Sequence, residues 1–191
     1  MTVTIVTADD ILDAAQRRFA AAGVRRSTIE DVAAEAGVSR ITVYRHVGNR
    51  DELVRAVLLR VTDRFLQRQL PKLLAAPDLA SALRDLVLAT VRAARRDDSL
   101  LLLYGSEETG ASGRPLPGTT EPLIDRFASV VTTLAAELPG GLSDDVSAAD
   151  AGEWVLRIII SLLTLETSRV RNDSEMARLV DTFAIAPIVA R

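Results

Sequence analysis

Three glycines, Gly23, Gly37 and Gly48, divide the first fifty residues into short segments in which apolar residues recur every three or four positions. This spacing places the apolar side chains on one face of a helix, and glycine is the residue after which helices commonly end. Each segment also opens with a residue whose side chain can cap a helix. The pattern predicts three helices, over about 8–22, 28–36 and 39–46.

The starts of the first two segments show the spacing of a capping box, in which two residues three positions apart satisfy backbone N–H groups at the helix start. The first start lies at Thr7. The second has two alternatives, Ser27 with Glu30 or Thr28 with Asp31. The sequence therefore specifies where these helices begin, although it leaves the second cap open.

The second and third helices meet at a tight turn around Gly37, with the small residue Ala33 where the two helices cross. This is the geometry of a helix-turn-helix unit, whose second helix presents its outer face to the major groove of DNA. That outer face carries hydrogen-bond donors of the kind that bind phosphates and base edges: Arg40, Thr42, Tyr44, Arg45 and His46.

The rest of the sequence predicts longer helices and no alternating strand pattern. Pro71 and Pro77 mark the end of the fourth helix, and the glycine- and proline-rich stretch Gly105–Thr120 predicts a long functional loop. The longer helices are expected over about 49–70, 78–96, 121–138, 145–171 and 174–186. The fold class is therefore all-α.

Charge is distributed unevenly along the chain. The formal net charge is −3, which by itself argues against DNA binding. From Arg17 to Arg50, however, seven arginines stand against three acidic residues, a local balance of +4. A basic segment on an acidic body is compatible with phosphate contact by one face only.

Other classes of protein find little support in the sequence. The absence of cysteine excludes disulfides and thiolate metal sites and is compatible with a reducing cytoplasm. The most apolar run, Val155–Leu165, is about half of what a membrane span needs and contains Arg157. No nucleophile–base pair, phosphate loop or histidine cluster is evident. We therefore expect a cytoplasmic protein that is not an enzyme and has no metal, no cofactor and no membrane partner.

The stretch Thr28–Leu53, TIEDVAAEAGVSRITVYRHVGNRDEL, resembles the DNA-binding signature of the TetR family of transcriptional regulators. The resemblance starts with FAAAG at the end of the first helix and covers about a quarter of the chain. An alanine followed by GVS is common to many helix-turn-helix families. The continuation through Tyr44, His46, Asn49 and Arg50 is what points to this one.

The resemblance implies a role for each matching position. It implies phosphate contacts from Thr28, Tyr44, His46 and Arg50. It implies base contacts from Arg40, Ile41, Thr42 and Arg45. Either arginine in the second set can bind guanine through two hydrogen bonds, and the isoleucine can pack on a thymine methyl group.

The sequence departs from the family pattern at several positions. Glu30 stands where many members have arginine, so we assign it a capping role rather than a DNA contact. Val47 replaces a common phenylalanine, and Ile41 replaces a small residue. Two assignments have alternatives, since His46 can be structural and Tyr44 can be a half-buried aromatic.

By the same resemblance, residues 1–50 form a three-helix DNA-binding domain with the helix-turn-helix, and residues 51–191 form a helical ligand-binding and dimerisation domain. The predicted helix over 145–171 is apolar on nearly every side, so it must be covered on every side. One side can pack on its own domain, and the other suggests a second subunit. We expect a homodimer through about 145–171 and 174–186, with the central helix of a monomer as the alternative. The Glu153–Arg157 pair is expected to lie on the surface.

A ligand pocket is expected between the fourth helix and the helices that follow, gated by the loop over 105–120. Its candidate lining residues are Leu86, Thr90, Leu101, Tyr104, Leu123, Phe127 and Trp154. Each of them can equally be part of the plain core. An apolar lining with few polar groups would suit a small hydrophobic or aromatic effector.

The function that follows is that of a ligand-responsive regulator, in the family's usual form a repressor. Its dimer would bind a palindromic double-stranded operator and would release it when the effector binds. Two alternatives stay open. One is a small-molecule-binding or enzymatic helical protein with a vestigial DNA-binding motif, and the other is a DNA-binding activator or architectural protein.

Overall fold

The computed structural model describes residues 6–96, 118–165 and 172–190. These ranges contain eight α-helices and a short π-helical segment, so the all-α fold class is confirmed for them. The helices are α1 Ala8–Ala22, α2 Ile29–Ala36, α3 Arg40–Val47, α4 Arg50–Leu73, α5 Leu79–Arg96, α6 Thr120–Glu137, α7 Ala148–Thr164 and α8 Asp173–Val180. The π-helical segment Asp181–Ile185 continues directly from α8.

The predicted starts of the first helices are confirmed. The Thr7 hydroxyl accepts a hydrogen bond from the Asp10 backbone N–H at 3.2 Å, and the carboxylate of Asp10 accepts in return from the N–H of Thr7. At the second start, Thr28 forms the same box with Asp31. The alternative cap at Ser27 is wrong, because that side chain is buried and its hydroxyl donates to the Gly23 carbonyl at 2.7 Å.

The fourth helix extends further than predicted. It passes through Pro71 and ends at Leu73, three residues beyond the predicted end at Leu70. A proline removes one backbone donor, and so close to a C-terminus the rest of the helix keeps its hydrogen bonds. Leu73 is buried, and this burial favours the extra turn over an early end.

The helix predicted over 145–171 is shorter at its start, and its C-terminal part differs as well. A capping box between Ser147 and Asp150 begins α7 at Ala148. The helix ends at Thr164, because Leu165 has extended backbone angles (φ −86°, ψ 104°). The predicted helical residues 166–171 lie outside the described part of the chain, as does most of the predicted 105–120 loop.

A continuous apolar core links both ends of the described chain. It runs from Ile11 in α1, through α4 and α5, to Ile185 in the π-helical segment. The boundary predicted at residue 50 stays a prediction, because α4 packs against α1 and α3 as well as against α5 and α6. Helix α4 therefore contacts both the N-terminal helices and the helices of the C-terminal part.

The C-terminal helices pack closely against one another. At Gly152 in α7, an added Cβ would lie 2.5 Å from the Ala128 backbone nitrogen in α6, so the two helix backbones nearly touch there. The Trp154 indole N–H donates to the Ala184 carbonyl at 2.8 Å, which fastens the π-helical segment to α7. The first contact sets the spacing of α6 and α7, and the second holds the π-helical segment against α7.

An ion-pair cluster joins α1 to α4. Arg60 donates to the Asp9 carbonyl at 2.8 Å and to the Asp13 carboxylate at 2.5 Å, and Arg64 lies 3.3 Å from the same carboxylate. Burial raises the pKa of Asp13, but the hydrogen bond and charge of Arg60, with those of Arg64, outweigh it and leave this pKa below its ordinary value. The ionised carboxylate thus ties the first helix to the long fourth one.

We expect Asp13→Asn to lower the free energy of unfolding at pH 7 by about 0.5–1 kcal/mol, because the carboxylate is partly exposed and solvent weakens the pair. A depressed pKa stabilises the fold at pH values above the unfolded-state pKa of about 3.9, and this contribution is lost as pH falls through the lower folded-state value. Urea unfolding at several pH values should therefore show the two proteins converging below about pH 4. Asp9→Asn is the control, since that carboxylate is 80% exposed and lies 3.6 Å from Arg60. An equal loss in both variants, or a loss that persists in acid, would contradict the assignment.

Candidate DNA-binding surface

The turn between α2 and α3 is built by local backbone chemistry. Gly37 adopts the left-handed conformation (φ 67°, ψ 30°), and its N–H reaches the Ala33 and Ala34 carbonyls at the end of α2. The Val38 N–H also donates to the Ala33 carbonyl at 2.9 Å. Ser39 then caps α3 by accepting from the Thr42 N–H. The predicted helix-turn-helix geometry is present, with glycine at the position that needs a positive φ.

The third helix buries one face and exposes the other. Val43 is fully buried, and it packs in the core with Val32 and Ala33 of α2. The opposite face points to solvent, with the Ile41 side chain 78% exposed and Tyr44 43% exposed. An isoleucine that exposed on a helix end is costly in water and suited to contact with a partner surface. The helical spacing predicted Tyr44 on this face, and the resemblance to the TetR family implied the same for Ile41.

The basic side chains of the exposed face fall into two groups. Arg45 and His46 are exposed, and no described carboxylate lies within ion-pair distance of either. Arg40 is instead paired with Glu30 of α2, its Nη1 lying 2.7 Å from Oε1. The guanidinium carbon of Arg40 also lies 5.6 Å from the centre of the Tyr44 ring, within cation–π range.

The pairing of Glu30 corrects one expectation from the sequence. We assigned Glu30 a capping role, but the cap of α2 is formed by Thr28 with Asp31, and Glu30 reaches across the turn to the recognition helix. The backbone N–H and the hydroxyl of Thr28 lower the pKa of Asp31, because both donate to its carboxylate. The signal in the sequence was the opposite charge of Glu30 and Arg40, which lie on either side of the turn. Their spacing of ten residues does not by itself indicate a contact.

Two of the predicted phosphate-binding residues already have partners within the protein. The hydroxyl of Thr28 donates to the Asp31 carboxylate at 2.9 Å as part of the cap. Arg50, at the start of α4, donates through Nη2 to the Val24 carbonyl at 2.6 Å and through Nε to the Ser27 carbonyl at 3.3 Å. Their contacts with phosphate stay predictions, and the structure adds a bracing role for Arg50 between α4 and the loop before α2.

The predicted effector-binding residues are placed mainly in the core. Leu86, Leu123 and Phe127 are buried, and Thr90 is buried with its hydroxyl donating to the Leu86 carbonyl at 2.7 Å. Trp154 is half-buried and bound to the π-helical segment. The remaining candidates, Leu101 and Tyr104, lie outside the described residues. The role of all seven predicted residues as a pocket lining stays a prediction.

A surface groove of about 210 Å³ lies between α4 and α6. Its wall includes a two-bond ion pair, in which Arg126 donates from Nε and Nη2 to the two oxygens of Asp63 at 2.6 and 3.0 Å. None of the predicted pocket residues lines this groove, whose lining is Asp63, Leu66, Gln67, Leu70, Arg126, Ser129, Val130 and Thr133. Among the described ranges, no group of acidic or histidine side chains is arranged to hold a metal ion.

The C-terminal helices leave an apolar surface uncovered. In α7, Val155, Leu156 and Ile159 are buried, whereas Ile158 and Leu162 are partly exposed. Leu165 and Phe183 are 67% and 70% exposed, respectively. Glu153 and Arg157 pair on the solvent side of α7, as predicted. No helix in the described ranges combines the length and apolarity needed to cross a membrane.

Comparison with known proteins gives independent information on this architecture. Residues 11–57 match the profile of the bacterial regulatory proteins of the tetR family, a range that spans α1 to the first turns of α4. An uncharacterized HTH-type transcriptional regulator of Mycobacterium tuberculosis is 26% identical over 186 residues, which is 97% of this chain and 87% of that protein. The HTH-type transcriptional regulator TtgR of Pseudomonas putida is 46% identical over 52 residues, 27% of this chain and 25% of TtgR.

Solved structures agree in fold along nearly the whole chain. The TetR family repressor AlkX from Dietzia sp. superposes with a TM-score of 0.66 at 21% identity, covering 98% of this chain and 99% of AlkX. The repressor QsdR of R. erythropolis superposes with a TM-score of 0.62 at 21% identity, covering 94% of each chain. The helix-turn-helix geometry and the matched profile show that residues 11–57 are similar to the DNA-binding segment of the tetR family regulators, and the described helices share the fold of these solved repressors.

Proposed function

We propose that this regulator is a ligand-responsive repressor that binds a palindromic operator as a homodimer and releases it when a small apolar effector binds. The observation that carries the proposal is the exposed face of α3. It combines arginine donors with the exposed Ile41 on a helix held rigidly by a buried Val43. Guanine edges and thymine methyl groups in the major groove are the matching partners of such a face.

The proposed base contacts come from Arg40, Ile41, Thr42 and Arg45, and the phosphate contacts from Thr28, Tyr44, His46 and Arg50. Because helix α3 is only eight residues long, one copy reads only a few base pairs. Two copies related by a two-fold axis would read two half-sites about 34–36 Å apart, one turn of DNA. An inverted repeat is the operator symmetry that such a dimer requires.

The dimer is supported by the apolar surface on α7 and the segment after α8. Exposed Leu165 and Phe183, with partly exposed Ile158 and Leu162, make one subunit's surface unusually apolar in this region. Burial of such a surface between two subunits removes it from water and would hold the two α3 helices at a fixed separation. The proposed dimer and the proposed palindromic operator therefore depend on each other, because the dimer sets the separation of the two half-sites.

The effector is proposed to enter the helical body among the predicted pocket residues. Four of these, Leu86, Thr90, Leu123 and Phe127, are buried at present, so a ligand there requires the helices around them to separate. Helix α4 packs against this body and against α1 and α3, so such a change would alter the position of α3. A ligand that prefers the altered state weakens operator binding by the same factor by which the operator weakens ligand binding.

The test is selection of bound duplexes from a randomised library with the full chain, followed by light scattering. We expect an enriched inverted repeat and a particle of twice the 20.6 kDa chain mass. Addition of a panel of long-chain fatty acids and polycyclic aromatics should include a compound that raises the operator dissociation constant. Footprints that overlap the promoter would distinguish repression from activation.

A stable monomer, or a bound pool without any enriched sequence, would overturn the proposal as a whole. An enriched repeat that no apolar compound displaces would overturn only its ligand-responsive part. As an internal control, an effector that weakens operator binding must itself bind more weakly to the operator complex than to the free protein.

A further inference from the structure

Glu30 is an acidic residue at the protein surface proposed to meet DNA. It lies in the first turn of α2, where its carboxylate contacts Arg40, the first residue of the recognition helix α3. We propose that Glu30 is a specificity-determining residue, which positions Arg40 for one base pair of the operator. This inference rests on the proposed function and adds a residue that makes no assigned DNA contact of its own.

Glu30 is not part of the capping box that starts α2. The side chain is 56% exposed, and the capping of α2 is performed by Thr28 and Asp31. A carboxylate on a surface that approaches phosphates repels them, and so weakens binding to every DNA sequence alike. Within the described part of the chain, Glu30 forms an ion pair with Arg40 at the start of α3, and through this contact it can favour binding to one DNA sequence.

The ion pair with Glu30 leaves one edge of the Arg40 guanidinium available to bind a base. The ion pair uses Nη1, at 2.7 Å from the Glu30 carboxylate, and the described residues provide no hydrogen-bond partner for Nε or Nη2. These two donors form one edge of the guanidinium, and an arginine edge of this kind binds O6 and N7 of guanine through two parallel bonds. The Tyr44 ring, 5.6 Å from the guanidinium carbon, supports the same orientation from a second side.

An ion pair that orders the Arg40 side chain before binding raises the affinity for the operator. A free arginine side chain has many rotamers, and ordering it on binding costs free energy that pre-organisation removes. Because the pair is exposed, its contribution corresponds to about two- to fivefold in affinity. Loss of Glu30 would therefore weaken operator binding, although it removes a negative charge, and would leave or strengthen binding to unrelated DNA.

The experiment compares Glu30→Ala, Arg40→Ala and the double variant with the wild-type protein. Affinity is measured by fluorescence anisotropy on the selected operator, on single-base-pair variants of it and on an unrelated duplex. We expect Glu30→Ala to lower operator affinity about two- to fivefold and to flatten the preference at the base pair where Arg40→Ala flattens it. In the Arg40→Ala background, Glu30→Ala should change that preference no further.

The matched control is Glu35→Ala. Glu35 also lies on α2 and also pairs with an exposed arginine, Arg17, at 2.9 Å. It removes the same charge from the same helix, so it should leave the ratio of operator to unrelated-DNA affinity unchanged. The same loss of preference with Glu35→Ala would show a general charge effect and overturn the proposal.

Other outcomes separate this inference from the proposed function. A wild-type protein that enriches no sequence overturns both. An enriched operator whose base preferences are unchanged by Glu30→Ala, or are weakened evenly at all positions, overturns only the role of Glu30. Circular dichroism of each variant establishes that the helices are intact.

Discussion

Replacing Gly152 with alanine is expected to lower the free energy of unfolding by about 2 kcal/mol, because the new methyl group has no space. Its Cβ would lie 2.5 and 2.6 Å from the backbone N and Cα of Ala128 in α6. Overpacking typically costs about 1–3 kcal/mol, and contact with backbone puts this site at the upper end of the range. The higher helix propensity of alanine offsets about 1 kcal/mol of this overpacking cost.

The measurement is urea and thermal unfolding at a fixed protein concentration, since dimer dissociation would make both concentration-dependent. For a chain of this size, 2 kcal/mol corresponds to a fall in Tm of about 4–8 °C. Gly141→Ala is the matched control, because nothing lies within 4 Å of a Cβ built there. If the two alanine variants were equally stable, the close approach of α6 and α7 at Gly152 would be wrong.

The double variant Arg40→Ala/Arg45→Ala is expected to lower operator affinity by about 100-fold or more. One arginine bound to guanine through two hydrogen bonds contributes about 1–3 kcal/mol of discrimination, and two such contacts would be lost. Both side chains are exposed, so the fold should be retained. Binding to unrelated DNA should weaken much less, which separates the loss of base recognition from the loss of charge.

The control for charge is Arg25→Ala/Arg26→Ala, which removes two exposed arginines that lie in the loop before α2. We expect this variant to reduce affinity for operator and unrelated DNA by a similar, smaller factor. Equal effects of the two double variants on the operator would contradict the assignment of α3 as the base-reading helix. Retained operator binding in the Arg40/Arg45 variant would show that the operator is bound mainly by residues outside this pair of arginines.

Much of the N-terminal domain could be predicted because its signals are local. A capping box joins residues three apart, so Thr7 with Asp10 and Asn49 with Glu52 mark helix starts before any tertiary contact forms. The positive φ of Gly37 is likewise a property of one residue beside a short helix. The resemblance to the TetR family rested on this same stretch, and the tetR family profile matches it over residues 11–57.

Two helix ends were misplaced, for different reasons. Pro71 predicted the end of α4, but burial of Leu73 extends the helix beyond it. The apolar run in α7 predicted a long helix, whereas the cap at Ser147 starts it later. Packing decided the end of α4, whereas the start of α7 follows from a local capping box between Ser147 and Asp150 that the apolar periodicity does not reveal.

The sequence alone determined the helical class, the three-helix start of the chain and the face of α3 that carries donors, because periodicity and capping act over three or four residues. Only the tertiary structure decided that Glu30 pairs with Arg40, that Arg50 braces the Val24 carbonyl, and that Gly152 lets α6 and α7 touch. These partners lie from ten to twenty-six residues apart in the chain. The periodicity of a helix relates residues three or four positions apart, so it cannot predict contacts over these longer sequence separations. Such contacts follow from how the helices pack.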